Sequence, residues 1–257
     1  MSSNAISFDL NNINLSSIKE EYLNLKEEEM KPIELNNSFV SFLETRTNMI
    51  NWLTFLCNTL NFTDQTLFRC VSIFDQYTFI IFIFISKIID NQKEMEEMTQ
   101  GKLNLIAISC LSLATKLEEV NCNYIAFLNE KVLNTPNEKI FTNTDLTNME
   151  LTILKDLKFN TNYSTPLDFL EIYTKIFSHF FGEKNTSMNE LIISNIRNIS
   201  INLIKNNINN ISYLVNTTSH FSYLCFMQSL NEIKVINSLG MKQFENAIFN
   251  FGHQLVF

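Results

Sequence analysis

Between Phe39 and Leu60 the apolar positions fall at 39, 42, 43, 49, 50, 53, 56, 57 and 60, a spacing that lines one face of an α-helix. Asn61 to Asp64 breaks the stripe, and a Thr63/Asp64 cap opens a second helix carrying Leu67, Val71 and Phe74. Each of these helices holds one charge on its apolar stripe, Arg46 in the first and Asp75 in the second. Residues 101–120, GKLNLIAISCLSLATKLEEV, are apolar on nearly every face until Lys116, Glu118 and Glu119, which predicts a central helix surrounded by others. Before these, Ser17 and Glu20 have capping-box spacing, and Ile18, Tyr22 and Leu25 repeat at helical intervals, so a short acidic helix is expected there.

After the central helix the pattern predicts a short helix at about 121–130, a polar loop containing Pro136, and a helix from about Thr144 to Leu157. Thr165 followed by Pro166 reads as an N-cap with proline at the first helical position. A break at 182–185 precedes amphipathic helices around 187–206, 211–230 and 241–255. Residues 87–101, with EMEEM near their centre, read as a charged surface insertion. The most apolar run, Phe79 to Ile85, is too short to span a bilayer and is flanked by Asp75, Gln76, Lys87 and Asp90. No membrane partner is expected.

Composition sharpens this picture. Four Gly and three Pro in 257 residues are too few for the turns of a β-rich fold, so the expected class is all-α. The length suits one large domain or two small ones. A net charge of −8 has the wrong sign for wrapping a polyphosphate, which argues against direct nucleic-acid binding. The five cysteines lack C-x-x-C spacing and mostly fall in apolar helical stretches, as reduced core residues do. The opening MSSNAISFDLNN has no basic region followed by an apolar one, and an intracellular protein, nuclear or cytoplasmic, is expected. Asparagine is over-represented, as in IKNNINNIS (204–212), without the homopolymer tracts of a disordered linker.

A search for catalytic chemistry finds little. His179, His220 and His253 share no metal-ligand spacing with cysteines or carboxylates, and the scattered glycines form no phosphate-cradling loop. Glu118 and Glu119 sit at a helix end, where a solvated face is the ordinary reading. The expectation is a protein that is not an enzyme, with no cofactor, no metal and no small-molecule substrate.

Four segments, RTNMINWL (46–53), QTLFRCVSIFDQY (65–77), GKLNLIAISCLSLATKLEEV (101–120) and MELTILKDLKF (149–159), resemble in order and spacing the successive helices of a cyclin box. Five separated positions typical of the box, an Arg, an Asp, a Leu, a Lys and a Glu, are met by Arg46, Asp75, Leu105, Lys116 and Glu150. The resemblance is to a divergent member of the mitotic A/B-type group. It implies the cyclin fold: two tandem five-helix bundles preceded by a short N-terminal helix, with an N-terminal segment over 1–36, a box over 37–162 and a degenerate second cyclin-fold domain over 163–257. It also implies a non-catalytic regulatory subunit that binds and activates a cyclin-dependent protein kinase in cell-cycle control. Two other readings stand beside it: a cyclin-fold scaffold without kinase activation, and a two-box transcription-initiation factor. The charge and the lack of zinc-ribbon cysteines argue against the last.

The same residues also carry a physical reading. Arg46 and Asp75 are opposite charges on apolar stripes, and pairing with each other avoids the cost of an unpaired buried charge; separate snorkelling to solvent is the alternative. Trp52 and Leu105 are expected in the core of the box. In cyclins the pair matching Lys116 and Glu150 hydrogen-bonds kinase backbone near its movable helix, whereas taken alone these residues also fit an internal salt bridge or solvated helix ends. Leu117, Leu154 and Phe159 match apolar kinase-contact positions, and each also fits an ordinary core. Two departures stand out. The Asp usual before the Trp is Asn51, and the Met-Arg-Ala-Ile-Leu stretch that docks substrate motifs reads Thr45, Arg46, Thr47, Asn48, Met49, so substrate docking is not carried over.

Overall fold

The computed structural model describes residues 16–33, 37–88, 100–120, 141–181 and 186–233. Every regular element among them is a helix: α1 (Ser16–Glu27), α2 (Asn37–Thr59), α3 (Asp64–Ile88), α4 (Gln100–Glu118), α5 (Asn143–Asp156), α6 (Pro166–Phe181), α7 (Thr186–Asn207), α8 (Ile211–Val215) and α9 (Thr218–Ile233). The helices expected near 121–130 and 241–255, the break at 182–185 and the body of the 87–101 insertion lie outside the described residues.

The chain packs as two compact units, one formed by 30–165 with 209–217, the other by 1–29, 166–208 and 218–257. In the first, α4 is buried without interruption from Ile106 to Thr115 and packs against α2, α3 and α5. Its small residues Ala107, Ser109, Cys110, Ser112 and Ala114 let three neighbours approach closely enough to exclude water. The middle of α3 is equally enclosed, from Thr66 to Asp75, where the sequence pattern predicts a one-sided stripe. Packing on every side is a tertiary property, and periodicity in α3 reports only its most apolar face. Cys57, Cys70 and Cys110 are buried here as free thiols, and burial, with neighbouring thiols and Asp75 adding, pushes the Cys70 thiol well above its ordinary pKa.

In the second unit α6 packs against α1, α7 and α9. The Tyr22 ring of α1 meets Phe169 edge-on at 5.9 Å, and Glu21 pairs with Lys175 at 2.6 Å. Glu29 accepts the Ser219 backbone N–H at the start of α9, and Lys26 donates to Ser219 Oγ at 3.2 Å and to Glu29. The helix begins at Ser16, so Ser17 lies within α1 instead of capping it.

The single helix expected over 211–230 is two. The α8 helix ends at Asn216, which is extended (φ −99°, ψ 158°), and α9 restarts at Thr218. The break separates the units: Tyr213 and Leu214 are buried in the first, whereas α9 belongs to the second. Both pieces have apolar faces at helical spacing, so the pattern runs through the break unmarked.

Candidate functional site

The deepest polar centre of the first unit is built from α2 and α3. Arg46 and Asp75 are both 0% exposed and form a fork-to-fork pair, Nε to Oδ1 at 2.7 Å and Nη2 to Oδ2 at 2.8 Å. Arg46 Nη1 donates to the Asn209 carbonyl at 3.3 Å, and the guanidinium lies 5.8 Å from the Tyr213 ring centroid. Burial, with Asp75 nearby, pushes the Tyr213 phenol up to about 12, so it stays a neutral partner for Ser72 Oγ at 3.4 Å. Asn51 accepts from Asn209 Nδ2 at 2.6 Å, and Ile33 N–H donates to the Leu214 carbonyl at 2.8 Å. This centre faces inward.

The outward centre lies where α4 leaves the core. Burial ends at Thr115, and the next residues, Lys116 and Leu117, are exposed. Lys116 Nζ donates to Glu150 Oε1 at 2.7 Å and to Oε2 at 2.6 Å. Glu150 sits on the buried stripe of α5 with Leu146 and Ile153, and its side chain is only 9% exposed against 38% for Lys116. A carboxylate on an apolar stripe is costly without a counter-charge, and Lys116 supplies it at the margin of solvent.

Exposed or half-buried apolar residues lie next to this pair along α4 and α5. Leu117 is 50% exposed, Leu151 is 44% exposed, and Leu154 is half-buried. After α5 the chain turns through Lys158 (φ 53°) and Phe159 (φ 60°), two consecutive left-handed residues, neither of them glycine. The turn is closed by Phe159 N–H to the Leu154 carbonyl at 2.7 Å and leaves the Phe159 ring 66% exposed. Left-handed backbone costs an ordinary residue about 1–2 kcal/mol, so an outward aromatic is held here at the expense of local stability.

The start of α3, with Thr63 just before it, bonds both to the end of α4 and to the segment after α5. Arg69, 7% exposed, donates through Nε to Glu118 Oε1 at 2.6 Å and through Nη1 to the Tyr163 carbonyl. Glu119 Oε1 accepts from Thr63 N at 2.8 Å, Thr63 Oγ1 at 3.1 Å and Thr66 Oγ1 at 2.5 Å. Partial burial pushes the Glu119 carboxyl up, but these bonds from Thr66 and Thr63 outweigh it and hold the group below its ordinary value. Thr165 Oγ1 donates to Gln65 Oε1 at 3.0 Å.

A model of the cyclin N-terminal domain matches residues 18–162, more than half of the chain. The chain belongs to the cyclin family. Among curated proteins it is 30% identical over 132 residues to the G2/mitotic-specific cyclin-2 of Saccharomyces cerevisiae, covering 51% of this chain and 23% of that protein. It is 28% identical over 130 residues to the G2/mitotic-specific cyclin-B2 of Bos taurus, covering 51% and 28%, and 29% identical over 146 residues to Cyclin-B2-1 of Arabidopsis thaliana, covering 57% and 28%. The matched stretch spans about a quarter of the length of these relatives. A viral cyclin of herpesvirus saimiri shares the fold, with a TM-score of 0.57 at 16% identity over 86% of this chain and 84% of that one.

In this cyclin, of the residues singled out by sequence, Lys116 pairs with Glu150 at the margin of solvent and Arg46 with Asp75 in the interior, while Leu117 and Phe159 are exposed and Leu154 is half-buried. Trp52 and Leu105 are half-buried and pack with Phe141 against Ile108 and Leu146. Sequence reasoning passed over Arg69, a charge between Phe68 and Cys70 in an apolar run, although the same signal drew notice to Asp75. It also passed over Asn209 and Tyr213, which carry no local mark of belonging to the first unit. Among the described residues no group of three His, Cys, Asp or Glu side chains is placed to hold a metal ion, and no helix is long and apolar enough to cross a membrane.

Proposed function

We propose that this cyclin is the regulatory subunit of a cyclin-dependent serine/threonine protein kinase, which it binds and activates in cell-cycle control in the nucleus or cytoplasm. The observation that carries the reading is the Lys116–Glu150 pair, set at the edge of solvent among exposed apolar groups. An ammonium has three N–H donors, and Glu150 takes two, so one remains for a partner's backbone carbonyl. The Glu150 oxygens keep lone pairs for a backbone N–H. Leu117, Leu154 and Phe159 supply apolar contact around this polar core, the arrangement expected of an interface centre. The G2/mitotic designation of the relatives supports a cell-cycle role. Activation in this reading is a shift of the kinase's own two-state helix by differential contact, with no chemistry performed by the cyclin.

The test is affinity purification from the protein's own cells, with kinase assay, of the wild type, Lys116→Ala and Glu150→Ala. Losing one partner of a desolvated charged contact costs about 2–5 kcal/mol, roughly 30-fold to several-thousand-fold in affinity. Each variant is expected to lose the co-purifying kinase while keeping its helical circular dichroism. Variants that bind and activate normally would remove the proposed mechanism, and a wild type that recovers a kinase without activating it would favour the scaffold reading.

A further inference from the structure

The two walls of the proposed kinase-facing site come from different parts of the chain. Lys116 and Leu117 end α4, and Phe159 stands in the turn after α5. One buried side chain touches both segments. Arg69 of α3 binds Glu118, next to Leu117, and the Tyr163 carbonyl, four residues beyond Phe159. We propose that Arg69 is the positioning residue of this site, holding the end of α4 and the 157–163 connection in register. The inference rests on the functional reading above only for the identity of the partner.

The geometry supports bracing in preference to general core stability. A guanidinium presents donors in a rigid fork, so Nε and Nη1 fix the two acceptors relative to each other, which an ammonium on a flexible stem cannot do. Further bonds run from the start of α3 and the residue before it: Thr63 and Thr66 donate to Glu119 on one side, and Gln65 accepts from Thr165 on the other. Both segments otherwise end in features with little stability of their own, a helix terminus at Glu118 and a turn through two left-handed residues. Arg69 forms no hydrogen bond or ion pair with Lys116 or Glu150, so its effect on binding is indirect.

Three proteins test this: wild type, Arg69→Met, which keeps the length and apolar stem, and Arg69→Lys, which keeps the charge without the fork. Hydrogen exchange on the free proteins reads the brace directly. In Arg69→Met, amide protection is expected to fall by tenfold or more in both 116–120 and 157–163, with 209–217 unchanged. Arg69→Lys is expected to restore one segment at most. Affinity for a recombinant cyclin-dependent kinase is expected to fall about tenfold in Arg69→Met while Lys116 and Glu150 remain intact. Unchanged protection in either segment, an equal loss throughout the first unit, full rescue of both segments by lysine, or unaltered kinase affinity beside a wild type that binds would each overturn the proposal. If the wild type binds no kinase, the functional reading fails, and the exchange pattern alone decides whether Arg69 is the brace.

Discussion

Arg46 and Asp75 have no exposed surface, and every donor of the fork that reaches Asp75 is matched by an acceptor oxygen. Their Coulomb gain is largely offset by the cost of taking both ions out of water, so the pair is not a large net stabiliser. Breaking it is a different matter, because one charge then stays buried without its partner. Arg46→Ala is expected to lower the unfolding free energy by about 3–5 kcal/mol in urea titrations. By contrast, Lys116 is partly solvated, so its pair with Glu150 carries a smaller desolvation cost than the fully buried pair. The two ion pairs thus differ in what they hold: the buried one the fold, the marginal one a surface.

Among the elements, the turn after α5 and the end of α4 are where local stability is given up or recovered. Lys158 occupies left-handed space without hydrogen bonding that requires its side chain. Lys158→Gly relieves about 1–2 kcal/mol of backbone cost and gives back about 0.5–1 kcal/mol in chain entropy, so thermal melts should show a gain between about 0 and about 1.5 kcal/mol. At the end of α4, Glu119 caps the start of α3 from outside that helix. Its carboxyl is held low in the folded state, so the stabilisation is complete above the unfolded-state pKa and is lost as pH falls through the folded one. Thr66→Val removes one of the bonds responsible. NMR titration should show the Glu119 pKa moving up toward its ordinary value, and the acid-unfolding midpoint should rise with it.

Across the whole molecule, the first unit is completed from far along the chain. Asn209 and Tyr213 reach Arg46 across separations of more than 160 residues, and Tyr213 also reaches Ser72 across 141. Tyr213 is 1% exposed, and truncating a large buried aromatic typically costs about 3–5 kcal/mol. A chain ending at Thr165 retains α2 to α5 but lacks this closing segment. It is expected to melt well below the full chain and to recover part of the difference when residues 209–217 are restored through a flexible linker, as followed by Trp52 fluorescence.

Residue order alone carries the all-α class and most helices of this cyclin, because helix formation is written locally in apolar spacing, caps and the scarcity of Gly and Pro. It also kept five box positions in register across about a hundred residues, since each is a charge or apolar group at a fixed place on its own helix. Which charges meet is not written there. That Lys116 faces Glu150 across 34 residues, that Arg69 spans Glu118 and Tyr163, and that residues 209–217 complete the first unit are all consequences of packing. A pairing between distant residues depends on how helices lie against one another, and a single chain's periodicity records which face of a helix is buried without recording against what.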